Sequence, residues 1–291
     1  MESGTPAQSR FGADAVRKSP ESGGEVVRLY LELARRSFQQ QFAYRGATLA
    51  GIFVNGIFGI MIASVFLALY NSQSSGGMDD VQGWSKDQTI TLVWINQSLL
   101  MTVYLWGWWE VTHNIQSGAI VNELLKPYDY FCYWLSRDLG RALAHSLIRG
   151  VPTFLTGIAL FDVLAPETSA RFVAFLVSIV LAVIVSFCLR FIVNLAGFWV
   201  LDYRGIAAMF TAVLNVLSGM LAPLAFLPDP VRIVADVLPF KAVIMTPNEV
   251  YLGQVPIWQG LGFQILWIGA LVAIARKLMA IGERQLVVQG G

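Results

Sequence analysis

Apolar residues gather along this chain in runs long enough to cross a lipid bilayer, separated by short polar stretches that hold most of the charge. About 20 apolar residues at ~1.5 Å each are needed to span a hydrocarbon layer of ~30 Å. Six runs qualify, at 47–70, 89–111, 141–161, 171–200, 206–227 and 257–279. The pattern predicts an all-α integral membrane protein with six transmembrane helices. The third run is the most polar, because "RALAHSLIRG" fills its first turns. Before the first run, Tyr30, Ala34, Phe38 and Phe42 recur every four residues, while Arg28, Glu32, Arg35, Arg36 and Gln39 fall mostly elsewhere. That periodicity predicts an amphipathic helix over 25–46 lying in the membrane interface. An ordinary helix packed on a soluble domain fits less well, since the chain has no soluble domain left to receive it.

Composition agrees with a bilayer environment. Of 291 residues, 56% are hydrophobic and 13% charged, with a mean hydropathy of +0.60, whereas soluble domains carry about 25% charged residues. A formal net charge of +1 supplies no basic surface for nucleic acid. Positive residues remain on the cytoplasmic side of membrane proteins. With the N-terminus inside, Lys86, Arg171, Arg232 and Lys241 fall outside, Arg149 and Arg190 fall within spans, and the other Lys and Arg residues lie in cytoplasmic segments. Both termini are therefore expected in the cytoplasm of a multi-pass inner (plasma) membrane protein. Residues 1–24 are Ser/Gly/Pro-rich, lack the apolar core of a secretory signal and are expected to form a disordered cytoplasmic tail. The transmembrane domain is expected over 47–281, with a cytoplasmic tail at 282–291. Cys132 and Cys188 are expected to be free thiols.

No P-loop, dinucleotide-binding glycine motif or H-E-x-x-H occurs. The chain is expected to hydrolyse no nucleotide itself, and His113 and His145 sit in different segments and would need carboxylate partners to hold a metal, so no metal site is expected. Arg141, His145 and Arg149 share one face of the third span, and Ser186, Arg190 and Asn194 repeat that spacing in the fourth. An unpaired arginine in a span costs about 2.5–3.5 kcal/mol on insertion scales, so Arg190 is expected to face protein or water. Glu110 or another acidic group could pair with these cations. A lateral access site for an anionic headgroup and a structural ion pair both remain open. Gly51, Asn55, Gly56 and Gly59 in the first span, with Ser218 and Gly219 in the fifth, offer small and polar contact surfaces. They suit either a dimer interface or packing within one subunit. Trp106, Trp108 and Trp109 read as an interfacial anchor or as a stacking platform.

Two polar segments interrupt the apolar pattern. In "EVTHNIQSGAIVNELLKPYDY", Ile115, Ile120, Val121, Leu124 and Leu125 mark a short amphipathic helix that ends at Lys126-Pro127. Such a helix can seat in a groove on a partner or cover the protein's own end. Near the C-terminus, "LPFKAVIMTPNEVYLG" alternates apolar turns with breaks at Pro239 and Pro247. It reads as a re-entrant segment facing an exit pathway or partner subunit, or as a plain external loop.

Together these two segments resemble the membrane subunits of type-2 ABC exporters, the ABC-2 permeases with six spans and no fused ATPase. The resemblance rests on Gly118, Leu124, Leu125 and Pro127 in the first loop, and on Leu238, Pro239, Phe240, Pro247 and Gly253 before the last span. It implies a coupling helix within 110–128, with Glu110 and Glu123 beside those loop residues, seated in two copies of a separate ATPase that binds ATP and Mg. It also implies a second permease, identical or related, and an amphipathic or hydrophobic cargo such as a drug, peptide or lipid-linked molecule moved by alternating access. Two other classes stay open: a lipid-modifying membrane enzyme using the 141/145/149 cluster, and a membrane scaffold that transports nothing.

Overall fold

The computed structural model describes residues 23–43, 45–74, 80–103 and 107–286. Nearly all of the expected N-terminal tail, Trp106 and residues 287–291 lie outside the described residues. The chain is almost entirely helical. Helix α1 covers Gly23–Gln40, α2 Arg45–Ser74 and α3 Lys86–Val103, with a two-residue β-hairpin between α2 and α3 that pairs Val81 with Trp84. Then come α4 (Glu110–Gln116), α5 (Ile120–Leu124), α6 (Tyr130–His145), α7 (Val151–Leu160) and α8 (Ser169–Leu195). The chain ends with α9 (Arg204–Leu217), α10 (Asp229–Val237), α11 (Met245–Leu252) and α12 (Ile257–Glu283).

Four helical stretches, 48–72, 130–160, 169–198 and 257–283, are long and apolar enough to cross a membrane. The third begins eleven residues before the sequence pattern suggests, because polar residues of α6 continue the same helix. The second apolar run is not one helix: α3 stops at Val103, and Trp108 and Trp109 lie in a non-helical stretch before α4. The fifth is also shorter than its apolar run. Helix α9 has 14 residues, ~21 Å at ~1.5 Å each, and the chain turns at Gly219 with φ +81°.

Local chemistry sets several boundaries. Asp129 caps α6, its Oδ1 accepting from Cys132 N at 2.7 Å, and Thr168 caps α8 through Arg171 N at 3.2 Å. Between α6 and α7 lies a π-turn, Ser146–Gly150, in which Val151 N–H reaches back to Ser146 O. Pro152 follows at once. A proline has no N–H to give and crowds the carbonyl four residues back, and a widened turn relieves both problems without breaking the span.

Helix α8 is the centre of the bundle. Phe187, Phe191, Cys188 and Val185 are buried in it, and α12, α11 and α3 pack around it. Outward positions such as Leu49, Phe53, Val177 and Leu266 are exposed and apolar, as a lipid-facing surface requires. Trp94 on α3 is fully buried between Gly59 of α2 and Gly157 of α7. A Cβ on Gly157 would fall 2.4 Å from its indole, so close helix approach here depends on small residues.

Helix α1 packs along α6 instead of lying alone. Ser37 Oγ donates to Arg137 O at 2.6 Å, and Tyr30 Oη accepts from Asp129 N at 3.0 Å. Val27 and Leu31 of α1 stay exposed. Of the stripe read from sequence, Tyr30, Ala34 and Phe38 are half-buried, while Phe42, in the turn after α1, is exposed.

Candidate functional site

The first loop folds as two short helices, not one. Gly118 at φ +73° separates α4 from α5, a left-handed turn that glycine makes without steric cost. Ile115 and Ile120 are buried beneath the turn. Leu124 packs inward against the core, whereas Leu125 is 74% exposed. Behind it, Glu123 accepts from Lys126 Nζ at 2.7 Å and from the Tyr128 hydroxyl. Burial pushes the Glu123 carboxyl up, but these two hydrogen bonds outweigh it and hold the pKa below its ordinary 4.5. Burial and the same carboxylate raise the pKa of Tyr128. Pro127 is exposed at the end of α5.

The loop is fastened to the bundle through Asn194. Asn194 Oδ1 accepts from Thr112 N (3.1 Å) and Thr112 Oγ1 (3.0 Å), while its Nδ2 donates to Trp108 O (2.9 Å) and Arg190 O (2.8 Å). Both lone pairs of Oδ1 and both N–H groups of this buried amide are used. Gln116 adds donations to Val200 O and Leu201 O, and His113 pairs with the Tyr203 hydroxyl at 2.9 Å. Thus α4 is bound to the end of α8 and to the approach to α9.

Below this clamp lies a buried charge cluster. Asp138 of α6 holds Arg190 of α8 through Oδ2 at 2.7 Å and Arg141 through Oδ1 at 2.9 Å. Arg141 also donates to Met101 O (2.7 Å) and Thr102 O (3.1 Å). The last carbonyls of a helix lack partners within it, so Arg141 both satisfies α3 and places a cation at the negative end of its dipole. Glu110 does not join this cluster. It is 56% exposed and lies 3.6 Å from Arg137. Arg149 reaches across to α2, where its guanidinium lies on Gly51 so closely that a Cβ there would sit 1.2 Å from Nη2.

The position of Trp108 corrects its reading as an interfacial anchor. It is 8% exposed, with its ring 5.5 Å from Trp134 and 5.8 Å from Phe187, and the Arg190 guanidinium sits 5.3 Å from its centroid. Trp109 instead stacks near Tyr203 at 5.4 Å.

At the opposite end, α11 is buried along nearly its whole length, so the segment is no plain external loop. Pro247 does not break a helix; it falls in the first turn of α11, where its missing N–H leaves no bond unmade. The break lies earlier, at Leu238, Pro239 and Phe240, and Gly253 ends α11 in a left-handed cap. Asn248 of α11 donates to Asn96 Oδ1 at 2.9 Å, and Asn96 donates to Gly219 O (3.0 Å) and Met220 O (3.1 Å). Gln264 of α12 donates to Ser178 O and Ala242 O. Side-chain amides therefore satisfy irregular backbone buried inside the bundle.

On the remaining flank, Asn55 donates to Gln97 O at 3.4 Å and Gly56 and Ser218 are buried. Beside them opens a largely apolar groove of about 520 Å³ between α2, α3 and α9, with Asn55, Gln97 and Asn215 as its polar lining. Cys132 and Cys188 are both free thiols.

Sequence reasoning missed Asp138, Thr112, Asn96, Asn248 and Gln264. Asp138 carried a weak signal, since it precedes Arg141 by three residues, but the predicted span began only at 141. The amides carried none, because their partners are distant in sequence.

Long apolar helices, irregular backbone satisfied inside the protein and a clamped polar loop at one end are the features of a helical membrane protein. The chain matches the profile of the ABC-2 family transporter protein over residues 58–290, and it belongs to that family of ABC transporter permeases. No curated protein matches it.

Proposed function

We propose that this chain is the transmembrane subunit of an ATP-driven exporter for an amphipathic or hydrophobic cargo, working with two copies of a separate ATPase that binds ATP and Mg. The observation that carries the reading is the two-sided α4–α5 loop: Leu125 is 74% exposed on one side, while Asn194 grips the other. A loop with one exposed side, joined by side-chain hydrogen bonds to α8 and to the approach to α9, passes an imposed displacement into the bundle. ATP binding would close the ATPase pair, and the permease would shift between two conformations whose populations the nucleotide state biases.

In this reading the chain crosses the inner (plasma) membrane six times, α3 and α9 with their flanking turns completing the four long spans. Both termini and the α4–α5 loop are cytoplasmic. A second permease, identical or related, pairs along α2 and α9, where the groove beside Asn55, Gly56 and Ser218 opens. Leu125→Asp tests the coupling assignment. Leu125 is exposed, so thermal stability in detergent should remain while capture of the ATPase by purified permease drops; equal capture would remove the coupling role. Gly56→Leu should reduce the dimer in native gels.

A further inference from the structure

A polar cleft of about 290 Å³ lies between the end of α1, the end of α3 and the face of α6. Trp108 and Trp134 wall it, Arg137 and Glu110 line it side by side 3.6 Å apart, and Gln40 and Gln41 close it from the end of α1 and the turn after it. We propose that this cleft binds the headgroup of a zwitterionic phospholipid, its phosphate on Arg137 and its amine on Glu110.

The charges divide in a way that selects this chemistry. Arg141 and Arg190 direct donors to Asp138, and Arg141 also to the α3 carbonyls. Arg137 is bound far more loosely. Its guanidinium carbon lies 4.7 Å from the Trp134 centroid, with one 3.6 Å ion pair to Glu110 and one 3.5 Å contact to the Tyr133 hydroxyl. A guanidinium stacked on an indole presents its N–H edge sideways, the geometry that takes a phosphate. A simple anion would meet the Glu110 carboxylate, and a simple cation would meet Arg137 and Arg141. A group carrying both charges satisfies both sides, and separating an exposed ion pair to admit it costs little. His145 Nδ1, buried and without a hydrogen-bond partner among the described residues, lines the same cleft and offers the ligand a further polar contact.

Depth distinguishes a lipid from a soluble zwitterion. Helix α1 and the turn after it leave Val27, Leu31 and Phe42 exposed alongside Arg28, Arg35 and Arg36. Such a helix settles at the boundary of headgroups and acyl chains, and the cleft it closes lies at headgroup level. The assignment goes beyond the transport reading and stands whether or not the chain exports a cargo.

The full chain, purified from nanodiscs of equal phosphatidylethanolamine and phosphatidylglycerol, provides the test, with native mass spectrometry counting retained lipids. The wild type should retain phosphatidylethanolamine preferentially. Arg137→Gln should lower that retention about tenfold, the effect of losing a charge-assisted hydrogen bond. Glu110→Gln should abolish the preference, leaving both lipids held alike. Soluble phosphoethanolamine at the lipid's concentration should displace nothing. Equal retention by the wild type, unchanged retention in both variants, or displacement by phosphoethanolamine would overturn the assignment. If Arg137→Gln fails to fold, the exposed Glu110→Gln decides alone.

Discussion

Arg190 Nη2 lies 2.7 Å from Asp138 Oδ2, and each side chain is 3% exposed. A carboxylate on one span thereby neutralises a guanidinium on another where water is excluded. Removing one partner of a buried pair costs about 3–5 kcal/mol, since the other charge is left unsatisfied. Asp138→Leu should lose that much stability. The double variant Asp138→Leu, Arg190→Met should regain part of it, because no guanidinium is left buried at position 190, although Arg141 still loses its bond to Asp138. Thermal unfolding of the four species in detergent measures the coupling, and simple additivity would deny it.

Asn194→Leu should detach the α4–α5 loop from α8. The backbone N–H of Thr112 and the carbonyl of Trp108 would lose their partners, at about 1–3 kcal/mol for each buried group left unsatisfied. The expected result is faster hydrogen exchange across 110–124 than across α12. Uniform acceleration would instead mean that Asn194 supports the whole bundle.

Gly140→Leu should separate α1 from α6. A Cβ at this position would fall 1.9 Å from Ala34 O, which is backbone and cannot rotate away. Overpacking of this kind costs about 1–3 kcal/mol. Trypsin should then cut at Arg35 and Arg36 several-fold faster, and an unchanged cleavage rate would contradict the close approach.

The Glu123 turn should loosen in acid. Its carboxyl has a folded-state pKa below the ordinary 4.5, through Lys126 and Tyr128 and against burial. Such a group adds stability that is fully present above the unfolded value and is lost as pH falls through the folded one. A fluorophore at Leu125→Cys should gain mobility as pH falls below 4.5, and Glu123→Gln should flatten that response. A response identical in both proteins would exclude Glu123 as its source.

Much of the architecture was legible in the residue pattern. The first, fourth and sixth apolar runs correspond closely to α2, α8 and α12, because an apolar stretch of that length is stable in a bilayer only as a helix. The second and fifth were misjudged in extent. Apolar residues also suit a buried non-helical stretch, as around Trp108, and the turn at Ser218–Gly219 is held by Asn96 from another helix. The loop's amphipathic character was readable, yet which leucine faces outward was not. Leu124 and Leu125 are adjacent and alike, and only the placement of α5 against the core separates them.

Hydropathy, summed along the chain, determined that this is a helical membrane protein and where its long apolar helices lie. That signal is local and additive, so it survives without knowledge of neighbours. Pairing was decided in three dimensions: Asp138 with Arg190, Asn194 with Thr112, Gly51 with Arg149, Glu110 with Arg137. Each joins residues from different helical elements, and a close contact between them exists only once packing has fixed the faces that meet.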